Sequence, residues 1–279
     1  MKSYLKTIDF FLTHEQFELL YDDDLDLLIT HPKPEHLDRY YEADNYISHS
    51  DAGGNLLEKV YQKVKKINLG QKTTLIETYA ASNRKILDLG AGTGEFLLHA
   101  KGKGWEVCGV EPNESARKLA MGKGIDLKIN LESFRQEKFQ VITLWHVLEH
   151  LPNLKQSIKA LSQMLEDTGT LIVAVPNFKS YDAKHYGEFW AAYDVPRHLW
   201  HFSKTAIKKL FGEQNIEVKK VKPMWFDSFY VSLLSEEYKT AKKNWIPALW
   251  VGLWSNLNGI FTKEYSSHIY ILQKANRKS

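Results

Sequence analysis

The sequence predicts an α/β fold: a Rossmann-like, seven-stranded, mostly parallel sheet with helices on both faces. Short apolar runs of strand length alternate with helical segments from residue 84 onward, a pattern typical of βαβ units. A glycine-rich turn, "GAGTG" at 90–94, directly follows the first of these runs. With 279 residues, 43% of them hydrophobic, the chain is long enough to bury a full core.

Seven apolar runs are interpreted as the strands of this sheet: "KILDL", "WEVCGV", "IDLKI", "FQVITLW", "GTLIVAV", "IEVKKVKPMW" and "SHIYILQKA". Helical segments such as "EFLLHAKGKG", "NESARKLAMGKG" and "NLKQSIKALSQMLED" separate the earlier runs. A further helix, "SKTAIKKLFGEQ", precedes the sixth strand, and Ser203 is its predicted N-cap.

The chain is divided into four parts. Residues 1–80 contain apolar residues at three- and four-residue spacing, which predicts an N-terminal helical cap or lid. Residues 81–225 are the predicted core, and 226–266 contain two apolar helical stretches that form an insertion. Residues 267–279 provide the last strand of the core sheet and a tail.

Composition excludes several classes of protein. The net charge of +3 is close to balance, which disfavours a nucleic acid partner. The single cysteine, Cys108, excludes an internal disulfide. The start of the chain lacks the apolar core of a signal peptide, and Pro247, Asn256 and Asn258 interrupt the apolar stretch 245–261, so no transmembrane segment is expected. A cytoplasmic location is predicted.

The glycine spacing distinguishes between ligands. Dinucleotide-binding proteins use G-x-G-x-x-G, whereas here the glycines are Gly90, Gly92 and Gly94, and position 95 is Glu. A helix that starts at such a turn offers free N–H groups to a ligand. The third glycine comes one residue too early for a pyrophosphate site.

Two carboxylates refine this interpretation. Asp88 lies two positions before Gly90, where it would repel a pyrophosphate but suits a ligand with an ammonium group. Glu111 follows Gly90 at the end of the second strand, where a carboxylate can accept hydrogen bonds from both hydroxyls of a ribose. Together they predict a zwitterionic nucleoside ligand.

The segment "ILDLGAGTG" resembles the first motif of the class I S-adenosylmethionine-dependent methyltransferases. The segment "FQVITLWHVLEHLPN" is similar to the fourth strand and following loop of their small-molecule branch. The resemblance implies that S-adenosylmethionine is the cofactor, with the glycine loop at its aminoacyl part and Glu111 on its ribose. The implied cofactor-binding residues are Asp88, Gly90, Ala91, Gly92, Gly94, Glu111, Pro112, Asn130, Leu131, Trp145 and His146.

The segments "LLITHPKPEHLDRYYEADNYISHS" and "YDVPRHLWHFSKTAIKKLF" resemble a bacterial subgroup found with sugar, lipid and secondary-metabolite pathways. Its members usually carry a C-x-x-C metal knuckle, but Asp22 and Leu25 stand at those positions here, so no metal is predicted, while histidine and carboxylate sites stay open. The resemblance implies that Tyr46 and His49 cover the amino-acid end of the cofactor; the alternative is that the tyrosines pack the cap.

The segment "DVPRHLWHF" concentrates ionisable residues just after the fifth strand. His198 is the first candidate for a general base and Arg197 for holding an anionic substrate, and His150 is a further catalytic candidate. The alternative is an ordinary polar network in a loop. For Glu149 and His150 the alternative is a helix start that faces solvent.

The expected function is methyl transfer to a small molecule, such as a lipid, quinone or sugar-type intermediate, with S-adenosylhomocysteine as product. Trp245, Trp250 and Trp254 suggest an aromatic face on the insertion, for an apolar substrate, a dimer contact, a membrane surface or simple packing. A non-catalytic nucleoside-binding module is the main alternative. A nicotinamide-dependent oxidoreductase is disfavoured by Glu95.

Overall fold

The computed structural model describes residues 1–41, 56–80 and 83–275, which form two β-sheets and eight α-helices. The strands are β1 (Lys2–Ile8), β2 (Gln16–Asp22), β3 (Leu27–His31), β4 (Lys85–Leu89), β5 (Glu106–Val110), β6 (Phe139–Trp145), β7 (Leu165–Pro176), β8 (Trp200–Phe202), β9 (Ile216–Pro223) and β10 (Ser267–Lys274). The helices are α1 (Leu56–Glu77), α2 (Glu95–Lys101), α3 (Glu114–Gly122), α4 (Leu154–Met164), α5 (Tyr181–Tyr186), α6 (Lys204–Gly212), α7 (Asp227–Thr240) and α8 (Trp245–Thr262).

The larger sheet has the strand order β5-β4-β6-β7-β10-β9. The first four of these strands are parallel, and β10 runs antiparallel to both of its neighbours. Apolar residues of α4 and α6 cover one face, and those of α1 and α2 cover the other. The strands are nearly continuous apolar runs because both faces are covered. The predicted α/β class with a Rossmann-like sheet is thus confirmed.

The larger sheet has six strands among the described residues, so the prediction of seven was wrong at "IDLKI". That segment forms one isolated parallel bridge, between Lys128 and Val110. The Ile125 N–H instead donates to the Ala120 carbonyl at the end of α3, and a 3₁₀ turn starts at Leu131. Too few backbone groups therefore remain to extend a ladder beyond the bridge.

The helical prediction for the start of the chain was also wrong. Residues 1–31 form the antiparallel strands β1, β2 and β3, and β3 pairs with β8 to complete a four-stranded sheet. In β2 the buried residues Phe17 and Leu19 are two apart, whereas the helical interpretation used the spacing from Phe17 to Leu20. A short apolar run fits both periods, and pairing of β2 with β1 and β3 decides between them. Within 1–80, α1 is helical.

A buried ion-pair network fastens the small sheet to the rest of the protein. The guanidinium of Arg197, which is 1% exposed, donates to Asp9 at 2.9 Å and to Asp194 at 2.6 Å. It also donates to the Tyr40 carbonyl at 3.3 Å. Burial alone would raise the pKa of Asp9, but the hydrogen bond and charge of Arg197 hold it below its usual value. Arg197 therefore connects the β1–β2 segment with the loop before β8.

We expect Arg197→Met to destabilise the protein by about 3–5 kcal/mol, because it leaves two largely buried carboxylates without their cation. Urea unfolding followed by circular dichroism measures this loss. Lys155→Met is the matched control, since its ion pair with Glu213 is exposed and should hardly affect the unfolding midpoint. A shift for Arg197→Met as small as that of the control would show that the network contributes little.

Candidate functional site

The strand order creates a crevice at the carboxyl ends of β4 and β6. These strands lie side by side in the middle of the sheet, with β5 on one side and β7 on the other. Ligands of open α/β sheets bind where the chain leaves neighbouring strands in opposite directions. The loop 90–94 follows β4, and Trp145 and His146 end β6, so both predicted segments lie at this crevice.

The glycine loop has a conformation that favours glycine. Gly90, Gly92 and Gly94 have φ angles of 69°, 53° and 74°, in the left-handed region. A Cβ atom on Gly90 would lie 2.3 Å from Cγ2 of Val147, so the two loops touch there. A Cβ atom on Gly92 would meet no described atom within 4 Å. Gly92 therefore presents its backbone to open space.

The carboxylate of Glu111 lies beside this loop. One oxygen accepts a hydrogen bond from the Gly92 N–H at 2.8 Å, and the other accepts from the Asn113 N–H at 2.9 Å. Arg117 donates to the carbonyls of Glu111 and Pro112, which fixes the turn after β5. Two backbone N–H groups thus orient the carboxylate of Glu111, the residue that is predicted to bind a ribose.

Asp88 lies below the loop on β4 and is almost fully buried. Thr143 on β6 donates to it at 2.5 Å. Burial raises the pKa of Asp88 to about 7, against the smaller opposing effects of Thr143 and Lys72. Lys72 is therefore a cation of this chain whose charge acts on Asp88, the carboxylate that the sequence predicted for the ammonium group of a ligand.

Lys72 was not predicted as a site residue. It comes from α1, and its ammonium lies 4.5 Å from the centre of the Trp145 ring, a cation–π contact. Burial lowers the pKa of Lys72, while the charges of Asp88 and Asp227 act in the opposite direction. Its sequence context, "LGQKTT", is that of a polar helix face and contains no signal for a cleft residue.

His146 lies between two carboxylates. Its Nε2 is 3.0 Å from Oδ2 of Asp227, and its Nδ1 is 3.4 Å from Oε1 of Glu149. Burial alone would lower the pKa of His146, but Asp227 and Glu149 outweigh it and raise the pKa to about 10. The residue has a φ of 56°, a strained conformation that is frequent at functional sites, and one third of its side chain is exposed. Asp227, the first residue of α7, was not predicted.

His150 and His198 pack against each other behind His146, with ring centres 4.6 Å apart. The Nδ1 of His150 is 3.0 Å from the Arg197 carbonyl, and that of His198 is 2.8 Å from the Ala192 carbonyl. Carbonyls accept only, so the Nδ1 atom of each ring carries a proton. His198 is buried, and burial together with the charge of His198 lowers the pKa of His150 to about 4.

Glu149, His150 and His198 are the part of the described site that can hold a metal ion. One potential ligand atom from each lies within 4.8 Å of the other two, and Glu149 is 1% exposed. Imidazole and carboxylate together suit a divalent transition metal. The prediction that no metal is bound rested on the missing cysteines and left histidine and carboxylate sites open. It therefore says nothing about these three residues, and it stays a prediction.

The remaining predicted residues have different outcomes. Arg197 does not fit its expected role in holding an anionic substrate, because its guanidinium is buried and already paired with Asp9 and Asp194. Asn130 and Leu131, two of the implied cofactor-binding residues, follow the Lys128 bridge beside β5. Tyr46 and His49 lie outside the described residues.

A separate cavity of about 500 Å³ opens beside the small sheet. Its described lining comes from β1 and the turn after it, β2, the end of β3 with Pro32, and the 3₁₀ turn Gly187–Phe189, and it includes Phe10 and Phe17. Phe10 stacks on Tyr238 of α7 at 4.9 Å. None of the described lining residues is a predicted site residue.

Two curated relatives support the interpretation of the crevice. An enzyme named ubiquinone biosynthesis O-methyltransferase from Rickettsia typhi is 28% identical over 161 residues, which cover 52% of this chain and 65% of that protein. A protein with the same name from Actinobacillus pleuropneumoniae is 30% identical over 137 residues, 43% of this chain and 58% of its own length. The matched regions thus span less than two thirds of either relative.

Solved structures show the same fold at low identity. The magnesium protoporphyrin IX methyltransferase of Synechocystis PCC 6803 with bound SAH gives a TM-score of 0.56 at 13% identity, covering 85% of this chain and 97% of that one. A SAM-dependent methyltransferase from Archaeoglobus fulgidus gives 0.52 at 20% identity, covering 79% and 100%. The family model described as "Methyltransferase domain" matches residues 61–221, more than half of the sequence. The chain therefore belongs to the methyltransferase-domain family.

Proposed function

We propose that this chain transfers the methyl group of S-adenosylmethionine to a hydroxyl of a small aromatic acceptor and releases S-adenosylhomocysteine. The observation that carries this proposal is the crevice in which open space above Gly92 adjoins the oriented carboxylate of Glu111. The family of the chain agrees with this ligand.

The cofactor would lie with its ribose hydroxyls on Glu111 and its aminoacyl part along the loop 90–94. The helix α2 starts directly after Gly94, so the positive end of its dipole would lie toward the ligand carboxylate. Asp88 beneath the loop supplies negative charge toward the ligand ammonium. Trp145, at the end of β6, would form one wall of the cleft.

His146 is proposed as the general base. The acceptor O–H proton passes to the imidazole, the oxygen forms a bond to the methyl carbon, and the carbon–sulfur bond breaks so that its electron pair returns to sulfur. Asp227 holds the imidazole and stabilises the imidazolium that forms. Asp227 and Glu149 raise the pKa of His146 above its usual value, toward that of a phenolic hydroxyl, which makes the neutral imidazole a stronger base for such an acceptor.

A quinone-type acceptor is the class that this chemistry favours. Two curated relatives are named for O-methylation in ubiquinone biosynthesis, which supports an acceptor with a hydroxyl group for this chain. In this proposal the half-buried His150 and the buried His198 position the segment after β6 and do not act on the proton. His146 thus takes the role of base for which the sequence had favoured His198.

The direct test is product formation. We expect the purified protein to convert S-adenosylmethionine to S-adenosylhomocysteine when a dihydroxybenzene or hydroxyquinone is added, with one methyl ether formed for each cofactor consumed. Liquid chromatography with mass detection measures both products. Cofactor binding without turnover on any acceptor of this class would support the non-catalytic alternative instead.

We expect Glu111→Ala to weaken S-adenosylhomocysteine binding by about 1.5–3 kcal/mol, roughly 10- to 150-fold, because a charge-assisted acceptor is lost. Isothermal calorimetry measures the affinity. Glu114→Ala is the control, since Glu114 is exposed and pairs with Lys118. Unchanged affinity in a folded Glu111→Ala protein would remove the ribose assignment.

The pH dependence of turnover tests the base. Only neutral imidazole accepts a proton, so kcat/KM should rise with pH toward the pKa of His146. Asp227→Asn removes the charge that raises this pKa, so the rising limb should move to lower pH. His146→Ala should slow turnover by ~10²–10⁴-fold and leave cofactor affinity nearly unchanged.

His198→Ala is the comparison for this experiment, because it removes the other candidate base. The assignment to His146 is contradicted if the rising limb survives in His146→Ala but is lost in His198→Ala. A limb that stays in place in Asp227→Asn would likewise exclude the Asp227–His146 pair.

A further inference from the structure

Helix α8 turns its large apolar side chains toward solvent. Its buried residues are small or polar: Ala248, Gly252, Ser255, Asn256 and Gly259. The exposed ones, between 39% and 84% accessible, are Trp245, Ile246, Leu249, Trp250, Leu253, Trp254, Leu257, Ile260 and Phe261. A helix on the surface of a globular protein normally has the opposite arrangement.

The exposed residues form one continuous stripe. They recur at intervals of three to five positions along 18 residues, a length of about 27 Å at the rise of an α-helix. The stripe contains three tryptophans, and the helix itself contains no charged residue. None of the helices in the described ranges is long and apolar enough to cross a membrane.

The packing of α8 prevents the stripe from turning inward. A Cβ atom on Gly252 would lie 2.7 Å from the ring of Phe229 on α7, and one on Gly259 would lie 2.5 Å from the ring of Tyr265. Ser255 donates to the buried Asp182 at 2.5 Å. The small face is thus fitted closely to the protein, and the apolar face stays outside.

The charges around α8 indicate what covers the stripe. Lys242 and Lys243 are exposed just before the helix, and Lys263 is exposed just after it. Of the nearby acids, Glu237 is 4.0 Å from Lys243, and Glu264 pairs with Lys204. Two copies joined through α8, parallel or antiparallel, would bring lysines against lysines. An anionic surface would neutralise them.

We propose that α8 docks this protein on the surface of a bilayer that contains anionic lipids. The helix lies in the plane of the membrane, with its stripe among the upper acyl chains, its tryptophans near the headgroups and its terminal lysines on lipid phosphates. Docking would not require methyl transfer, so it stands apart from the proposed reaction.

The site is close to this surface in the fold. Asp227, which contacts His146, starts α7, and α7 packs along α8. Asn256 of α8 donates to the Trp225 carbonyl at 2.9 Å, two residues before Asp227. If the acceptor is the quinone-type molecule proposed above, docking would place the crevice near the bilayer, in which an apolar acceptor of this kind would dissolve.

Vesicle flotation tests the proposal. We expect wild-type protein to float with vesicles made of two parts phosphatidylcholine and one part phosphatidylglycerol, and much less with phosphatidylcholine alone. The variant Leu249→Ser, Trp250→Ser, Trp254→Ser should bind the anionic vesicles at least about tenfold more weakly, because three apolar side chains no longer enter the bilayer. These side chains are exposed, so thermal unfolding should show a folded variant.

Two further variants complete the experiment. Lys242→Glu, Lys243→Glu should weaken binding to the anionic vesicles and reduce its dependence on salt. Leu119→Ser, Met121→Ser removes exposed apolar residues from α3 and should bind like wild type. The proposal is overturned if the wild type does not float with the anionic vesicles, or if all variants bind them equally well. It is also overturned if light scattering shows a dimer of the wild type that dissociates only in the α8 serine variant. Calorimetry measures S-adenosylhomocysteine binding by the same proteins, so a failure of vesicle binding can be distinguished from a failure of the proposed cofactor site.

Discussion

The two hydrogen bonds to the Glu111 carboxylate join the loops from which the crevice is built. One comes from Gly92 after β4 and the other from Asn113 after β5, so a single side chain sets the distance between two neighbouring loops. The left-handed glycines give the first loop its shape, and Asn113 caps α3 in the second. Because the carboxylate is already oriented, a ligand hydroxyl would meet it without an ordering cost.

Charge in the crevice is balanced by residues from distant parts of the chain. Asp88 comes from the centre of the sheet, Asp227 from the insertion and Lys72 from the first helix. Each is partly or fully buried, and each shifts the pKa of another. A low-dielectric site of this kind makes each charge depend on its partners, so removal of one group changes the protonation of the others.

Local patterns were enough to predict that the glycine loop and Glu111 lie together. A strand, three alternating glycines and a helix follow one another directly, and Glu111 comes at a spacing that the β5 connection fixes. The surroundings of His146 depend on tertiary contacts between distant segments, and the sequence carries no periodic signal for them. Asp227 follows β9, which lies three strands away from β6 in the sheet, and Lys72 comes from a helix predicted only as a cap. The sequence indicated a functional role for Arg197, but its ion-pair partner Asp9 lies in a segment that was predicted to be helical.

The small sheet also contains two of the most distant contacts in the chain. Strand β3 pairs with β8, and Arg197 donates a hydrogen bond to Asp9, which is 188 residues away in the sequence. Because synthesis proceeds from the amino end, the first three strands leave the ribosome long before the segments that complete their sheet and neutralise Asp9. Their early stability must come from the β1–β2–β3 meander alone. Assembly of the small sheet therefore finishes late, and it depends on the core being made first.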